Sequence, residues 1–268
     1  MRSGILTLTT DFGADGHYVA QMKGIVLGLA PGTQIVDLCH AIPPQDIAMA
    51  SYMLGEVVQS FPRGTVHLAV IDPGVGTDRR LIVVEACEQW FVLPDNGLIG
   101  GVLRSFDPAG TWEIRNPELR RSEVSSTFHG RDILAPVAAH LLRGGDPSDV
   151  GPKIDYPSVP GLTPRPGFLD GSLDGEVVFI DWFGNLITDV FRRWFGRDDP
   201  RDWEVEILGQ TIPAISRTYG EHPPGTLLAL IGSTRRLEIA VVNGDAAKQL
   251  GAGCGTTVSL RRVGETET

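Results

Sequence analysis

One change of pattern constrains the fold of this chain more than any other. Through residue 155, short β-branched apolar runs alternate with stretches of helical period; after residue 170 the helical period vanishes and strand-like runs follow one another. Between them, residues 156–170 carry Pro157, Pro160, Pro164 and Pro166 with Gly161 and Gly167, the composition of a linker. The chain is therefore expected to be of the α/β class. A mostly parallel sheet flanked by helices is expected over residues 1–155, and a small all-β, barrel-like domain over residues 171–268.

In the first half, residues 4–10, 34–38 and 66–71 read as strands and residues 18–29 and 47–60 as helices between them. Asp46 is placed to cap the second of these helices. Residues 81–86 and 90–93 read as two further strands, residues 98–106 as a helix, and residues 133–142 as a helix with Asp132 as its cap. Strand–helix–strand alternation argues for parallel pairing, and in such sheets ligands bind at the carboxyl edge of the strands. Several polar residues fall there. The run 66–71 ends in Asp72, followed by Pro73-Gly74-Val75-Gly76 and then by Arg79 and Arg80. The run 4–10 ends in Asp11 before Phe12-Gly13, and His129 precedes Arg131 and Asp132.

Each cluster has a structural alternative. Asp72 with an arginine also describes an ion pair closing a turn. Asp11 also describes an Asx-turn, Asp95-Asn96-Gly97 an ordinary turn, and His129 a histidine that caps its helix. Converged on one edge, a carboxylate, a cation and an imidazole would orient and activate a water. In the second half, Asp181-Trp182-Phe183-Gly184-Asn185 places an acid, two aromatic rings and an amide on one turn. Aromatics stack on planar rings and an asparagine can pair with an adenine edge, although a turn packed by its own aromatics fits equally. The turn Gly232-Ser233-Thr234 offers amides and hydroxyls to a carboxylate.

Composition removes several classes. Among 268 residues, Lys and Arg number 23 against 33 Asp and Glu, a net charge of −10 with no long basic run, so nucleic acid is not an expected partner. No stretch approaches the roughly 20 apolar residues that span a bilayer, and the first ten residues lack a signal peptide's apolar region. Cys39, Cys87 and Cys254 are too scattered for a disulfide framework or a zinc site, which fits a reducing, cytoplasmic setting. No paired ligand spacing marks a metal site.

Taken together, the runs Thr9-Thr10-Asp11-Phe12-Gly13, Ile42-Pro43-Pro44-Gln45-Asp46-Ile47, Asp72-Pro73-Gly74-Val75-Gly76-Thr77, Pro94-Asp95-Asn96-Gly97, Phe128-His129-Gly130-Arg131-Asp132 and Phe183-Gly184-Asn185-Leu186 are distinctive. A chain carrying them in this order resembles the S-adenosyl-L-methionine hydroxide adenosyltransferase family, relatives of the bacterial fluorinase and chlorinase. The resemblance implies hydrolysis of S-adenosyl-L-methionine to adenosine and L-methionine by attack of water or hydroxide on ribose C5′, with no cofactor. It implies a catalytic set of Asp72, Arg79 and His129, with Arg80 as the alternative arginine. It implies that Asp11 holds the ribose diol, Phe183 and Asn185 the adenine, Asp181 the methionine ammonium and Ser233 its carboxylate. The flank Thr234-Arg235-Arg236 departs from the family pattern. The resemblance further implies a homotrimer with sites between subunits.

Three rival readings remain at this stage. A halogenase of the same superfamily would carry an aromatic residue at position 72 and a small hydroxyl residue at position 75. Here a carboxylate would repel halide, and Val75 offers it no hydrogen bond. A non-catalytic binder of the same nucleoside would have no use for a water-activating set. A metal-dependent hydrolase lacks ligand spacing.

Overall fold

The computed structural model describes residues 3–159, 168–169 and 172–263. The chain forms two compact units, Met1–Leu162 and Thr163–Thr268. Most of the expected linker lies outside the described residues.

The first unit contains, in order, β1 (Ile5–Thr10), α1 (Tyr18–Leu29), β2 (Gln34–Cys39), α2 (Ile47–Val57), β3 (Val66–Val70), β4 (Leu81–Ala86), β5 (Gln89–Pro94), α3 (Gly100–Leu103), β6 (Pro108–Glu113), α4 (Ala135–Leu142) and β7 (Lys153–Ile154). Its seven strands lie in the order β2-β1-β3-β5-β4-β6-β7. The half from β2 to β5 is parallel, as the alternation implies. β4, β6 and β7 pair antiparallel and make the whole sheet mixed. The helix expected over residues 98–106 is confined to α3, which opens on two weak helix formers, Gly100 and Gly101.

The period-2 pattern of β3 explains the layering. Val66, Leu68 and Val70 face one core with Val19, Met22 and Val26 of α1 and the buried side of α4. Ala69 and Ile71 face the other core with Ala50 and Leu54 of α2 and Val102 of α3. Both faces are thus covered, and truncating a fully buried leucine such as Leu68 to alanine should cost about 2–5 kcal/mol. Asp46 does cap α2, its carboxylate accepting the Met49 N–H at 2.9 Å. His67, buried between the Thr7 hydroxyl at 2.7 Å and Gln89 Oε1 at 2.5 Å, has its pKa lowered to about 4 by burial.

Because β2 lies on one side of β1 and β3 on the other, the chain reverses its winding between β1 and β3. The carboxyl ends of those two strands flank the crevice where open α/β sheets bind ligands. They carry Asp11 and Asp72.

The second unit contains β8 (Phe168–Leu169), β9 (Ser172–Ile180), β10 (Leu186–Phe191), β11 (Trp203–Ile207), β12 (Gln210–Ile212), β13 (Ile215–Ser216), β14 (Leu227–Ile231), β15 (Arg236–Val241), α5 (Ala246–Leu250) and β16 (Thr257–Arg262). They form one sheet, ordered β12-β11-β16-β9-β10-β15-β14-β13 with β8 beside β9. It curls until β11 meets β13 and β12 meets β14, a nearly closed barrel around Leu173, Val190, Val205, Ile239 and Leu260. Among the described residues, no helix is long and apolar enough to cross a membrane.

Candidate active site

β3 runs through a buried core, and the chain turns immediately after it. The Val75 N–H donates to the Asp72 carbonyl at 3.2 Å, and the Thr77 hydroxyl donates to the Gly74 carbonyl at 2.7 Å. This tight turn brings Arg79 back onto Asp72. Arg79 Nε donates to Asp72 Oδ1 at 2.6 Å and Nη2 donates to Oδ2, a bidentate pair that fixes the carboxylate plane. Both side chains are largely buried, 5% exposed for Asp72 and 11% for Arg79. Arg80 takes a different partner, Asp95, through Nε at 2.8 Å. Asp95 also accepts the Ser158 N–H at 2.6 Å, and Asn96 donates to the Ile71 carbonyl at 2.9 Å, so this turn braces the end of β3.

Arg79 also reaches His129, with Nη2 3.1 Å from Nδ1. A guanidinium only donates, so Nδ1 accepts and the ring is neutral with its proton on Nε2. Burial, followed by the charge of Arg79, lowers the His129 pKa and agrees with that state. His129 makes no capping hydrogen bond. Asp132 is not a cap either: it lies within a π-helical turn, Gly130–Leu134, that runs into α4, and its carboxylate is taken by Arg121, Arg131 and the Ser125 N–H. Two guanidinium groups outcompete a helix amide for one carboxylate.

At the end of β1, Asp11 Oδ2 accepts the Gln45 N–H at 2.8 Å. Gln45 has a φ of +67°, an unfavourable backbone for a side chain, and this bond helps to hold it there. His40 staples the same loop. Its Nδ1 lies 2.9 Å from the Thr10 hydroxyl, and its carbonyl accepts the Gly13 N–H at 2.8 Å. Asp11, Gln45, Asp72, Val75, Thr127 and His129 line one cleft of about 250 Å³. The first unit therefore gathers all of its expected site residues, and adds Gln45 and Thr127, to which the sequence assigned no role. The strained backbone of Gln45 is not legible from residue type. Among the described residues no three His, Cys, Asp or Glu side chains cluster as a metal site.

In the second unit, the turn after β9 is built on Asp181. Its Oδ1 accepts the N–H groups of Phe183 at 2.8 Å and Asn185 at 2.9 Å, and its Oδ2 accepts Asn185 Nδ2 at 2.9 Å. Gly184 takes a φ of +82°, and a Cβ there would lie 2.1 Å from Asp245 Oδ1, so only glycine fits. Trp182 is 97% exposed and Phe183 72%, which excludes a turn packed by its own aromatics. Ser233 is exposed at the turn between β14 and β15. Nearby residues escaped the sequence reading: the Tyr219 hydroxyl donates to Glu238, which is 8% exposed. Burial first, then the charge of Asp181, raises the pKa of Glu238. A glutamate inside the apolar run of β15 was the available signal.

Two family models match this sequence. The SAM hydroxide adenosyltransferase N-terminal domain covers residues 6–151 and the C-terminal domain of the same family covers residues 175–259. The chain belongs to the SAM hydroxide adenosyltransferase family. Proteins similar to it include the (R)-S-adenosyl-L-methionine hydrolase of Thermus thermophilus, 40% identical over 94% of this chain and 97% of its own length. The enzyme of that name from Salinispora tropica is 37% identical over 92% and 93% of the two chains. A fluorinase from Actinoplanes is more distant, at 29% identity over 70% of this chain and 72% of its own. Among solved structures, a conserved protein of Thermotoga maritima superposes with a TM-score of 0.88 at 35% identity, over 96% of this chain and 100% of the other.

Proposed function

We propose that this protein hydrolyses S-adenosyl-L-methionine to adenosine and L-methionine, acting on the epimer with R configuration at sulfur. The observation that carries the reading is the chain Asp72–Arg79–His129 opening on a cleft shared with Asp11. The names of the two similar hydrolases support the substrate and its configuration.

The chemistry follows from the geometry. The sulfonium leaves without acid assistance, so the protein's task is to place a water in line with the C5′–S bond. Arg79 occupies one edge of the Asp72 carboxylate, and the lone pairs left to Asp72 hold the water. As the O–C5′ bond forms, the C5′–S bond breaks and its electron pair goes to sulfur. The water's proton passes to Asp72, because His129 Nδ1 is already engaged and its Nε2 carries a proton. Alignment of this kind can supply several kcal/mol of the barrier.

Asp11 holds the ribose diol, its carboxylate retaining acceptor capacity beside the Gln45 bond. Phe183 stacks on adenine. Asn185 reads the adenine edge with its second amide hydrogen and its oxygen, the first hydrogen being held by Asp181. Asp181 attracts the methionine ammonium and Ser233 its carboxylate. No cofactor enters this scheme, and full activity in the presence of chelators is its test. The assembly we propose is a homotrimer in the cytoplasm; a monomer by light scattering would remove the first statement.

Incubation with (R)-S-adenosyl-L-methionine and chloride, followed by chromatography, tests the reading. Adenosine and methionine in equal amounts support it. A chlorinated nucleoside would convert it to a halogenase, and binding without product would convert it to a carrier.

A further inference from the structure

His129 meets Arg79 across 50 residues of chain, and the residue that secures this meeting does not face the cleft. Asp132 is fully buried and saturated with donors. Arg131 reaches it through Nε at 2.7 Å and Nη2 at 2.9 Å, Arg121 through Nη1 at 2.9 Å, and the Ser125 N–H at 2.9 Å. The Arg121 N–H also donates to the Asp132 carbonyl at 2.9 Å, which closes residues 121–132 into a ring.

That ring is seated on the Asp72 turn. The Ser126 carbonyl oxygen lies where a Cβ on Gly76 would be 2.6 Å away, and Gly76 has a φ of +82°, so the two backbones touch only because residue 76 is glycine. The other side of the ring is tied to α1. Arg131 donates to Gln21 Oε1 at 2.7 Å and lies 4.9 Å over the Phe128 ring, which meets Tyr18 edge-on at 5.2 Å. A buried carboxylate gripped by two guanidinium groups costs more desolvation than an apolar anchor would, and such groups are best explained where they fix one geometry.

We propose that Asp132 is a positioning residue of the hydrolytic site, which through residues 121–128 sets where His129 stands relative to the Asp72–Arg79 pair. This rests on the hydrolase reading. Burial alone would raise the Asp132 pKa, but Arg131, the Ser125 amide and Arg121 outweigh it and bring it down to about 2, so the anchor stays charged across working pH.

The test is Asp132→Asn, which keeps the shape and turns an acceptor into a donor facing the arginines. The expected result is a kcat about 10²-fold lower, the scale of a small misplacement of reacting groups, with KM and adenosine affinity unchanged. Because the Asp132 charge also raises the His129 pKa, the ring should titrate at lower pH in the variant when followed by NMR. A merely structural residue would lower stability without lowering kcat at constant KM. Gly76→Ala, which pushes on the ring from the opposite side, should give the same kcat loss. A folded Asp132→Asn protein with wild-type kcat, or one losing only affinity, overturns the proposal. If Asp132→Asn does not fold, Arg121→Gln decides it: a kcat loss at constant KM supports the positioning role and an unchanged kcat overturns it. If the wild-type protein forms no adenosine, the hydrolase reading fails; if the wild type turns over and the folded variant keeps its kcat, the positioning role alone is overturned.

Discussion

Asp72 and Asp181 each end a strand, and each leads into a turn containing glycine, but their carboxylates are used in different ways. Asp72 makes no side-chain bond to its own turn; Arg79, seven residues further on, holds it by one edge and leaves the other toward a cleft. Asp181 accepts two N–H groups of its own turn and the amide of Asn185. The first carboxylate is held by a side-chain cation and keeps acceptor capacity on its other lone pairs. The second is spent largely on shape, ordering a turn that exposes Phe183 and keeps Asn185 buried beneath it. An acid after a strand is thus a reactive group or a scaffold according to what fills its lone pairs, and backbone amides make a scaffold.

The comparison breaks first at Asp72. Replacing it with alanine should lower kcat by about 10³-fold while adenosine affinity by calorimetry stays close to wild type, because its work is done in the transition state. Equal loss of affinity would make Asp72 a binding residue, no different in kind from Asp181. The next largest effect is expected at Arg79. Lysine keeps the charge but cannot grip both oxygens, so Arg79→Lys should lose about 10²-fold in kcat with KM little changed. Wild-type turnover in that variant would mean that charge alone, and not the fixed carboxylate plane, is what separates the two sites.

A smaller effect concerns pH. In the proposed mechanism His129 works as the neutral ring that accepts from Arg79, and its pKa lies below the ordinary imidazole value because of burial and then the Arg79 charge. A lowered pKa keeps the ring neutral further into acid. Turnover should therefore hold as pH falls through the usual histidine range and decline only below it. Replacing Arg79 with methionine removes a cation that lowers this pKa, and the histidine titration followed by NMR should move up. An acid limb at the ordinary value in the wild type would show that His129 is not held in this buried place beside Arg79 in solution.

The two sites were not equally legible in the sequence. Periodicity placed β3 and the acid at its end, because a fully buried strand must be apolar and must stop where a charge begins. The two-residue connection between β4 and β5 makes an antiparallel hairpin, but periodicity did not reveal that β6 and β7 extend the sheet antiparallel, since those pairings join partners distant in the chain. Adjacent arginines were indistinguishable until the Thr77–Gly74 turn set which one folds back, sending Arg79 to Asp72 and Arg80 to Asp95. Asp132 carries the local signature of a helix cap, and only the arrival of Arg121 and Arg131 reassigns it. The Asp181 run was recognisable as a ligand-like turn, but its acid's commitment to internal bonds depends on Gly184 adopting a positive φ.

The smallest effect sharpens the comparison from the scaffold side. Asp181→Asn keeps one acceptor oxygen for the amides of Phe183 and Asn185 but sets a new NH₂ group against Asn185 Nδ2. Donor facing donor in a part-buried turn should cost about 1–3 kcal/mol, read as a lower denaturation midpoint. Turnover at saturating substrate should be unchanged, with KM raised through the tilted Phe183 and Asn185 and the lost charge toward the ammonium. The decisive quantity is the ratio of the two losses. If kcat falls in Asp181→Asn as it does in the Asp72 variant, the turn contributes to the chemical step. If stability is untouched, its internal hydrogen bonds are not what shapes the hairpin tip.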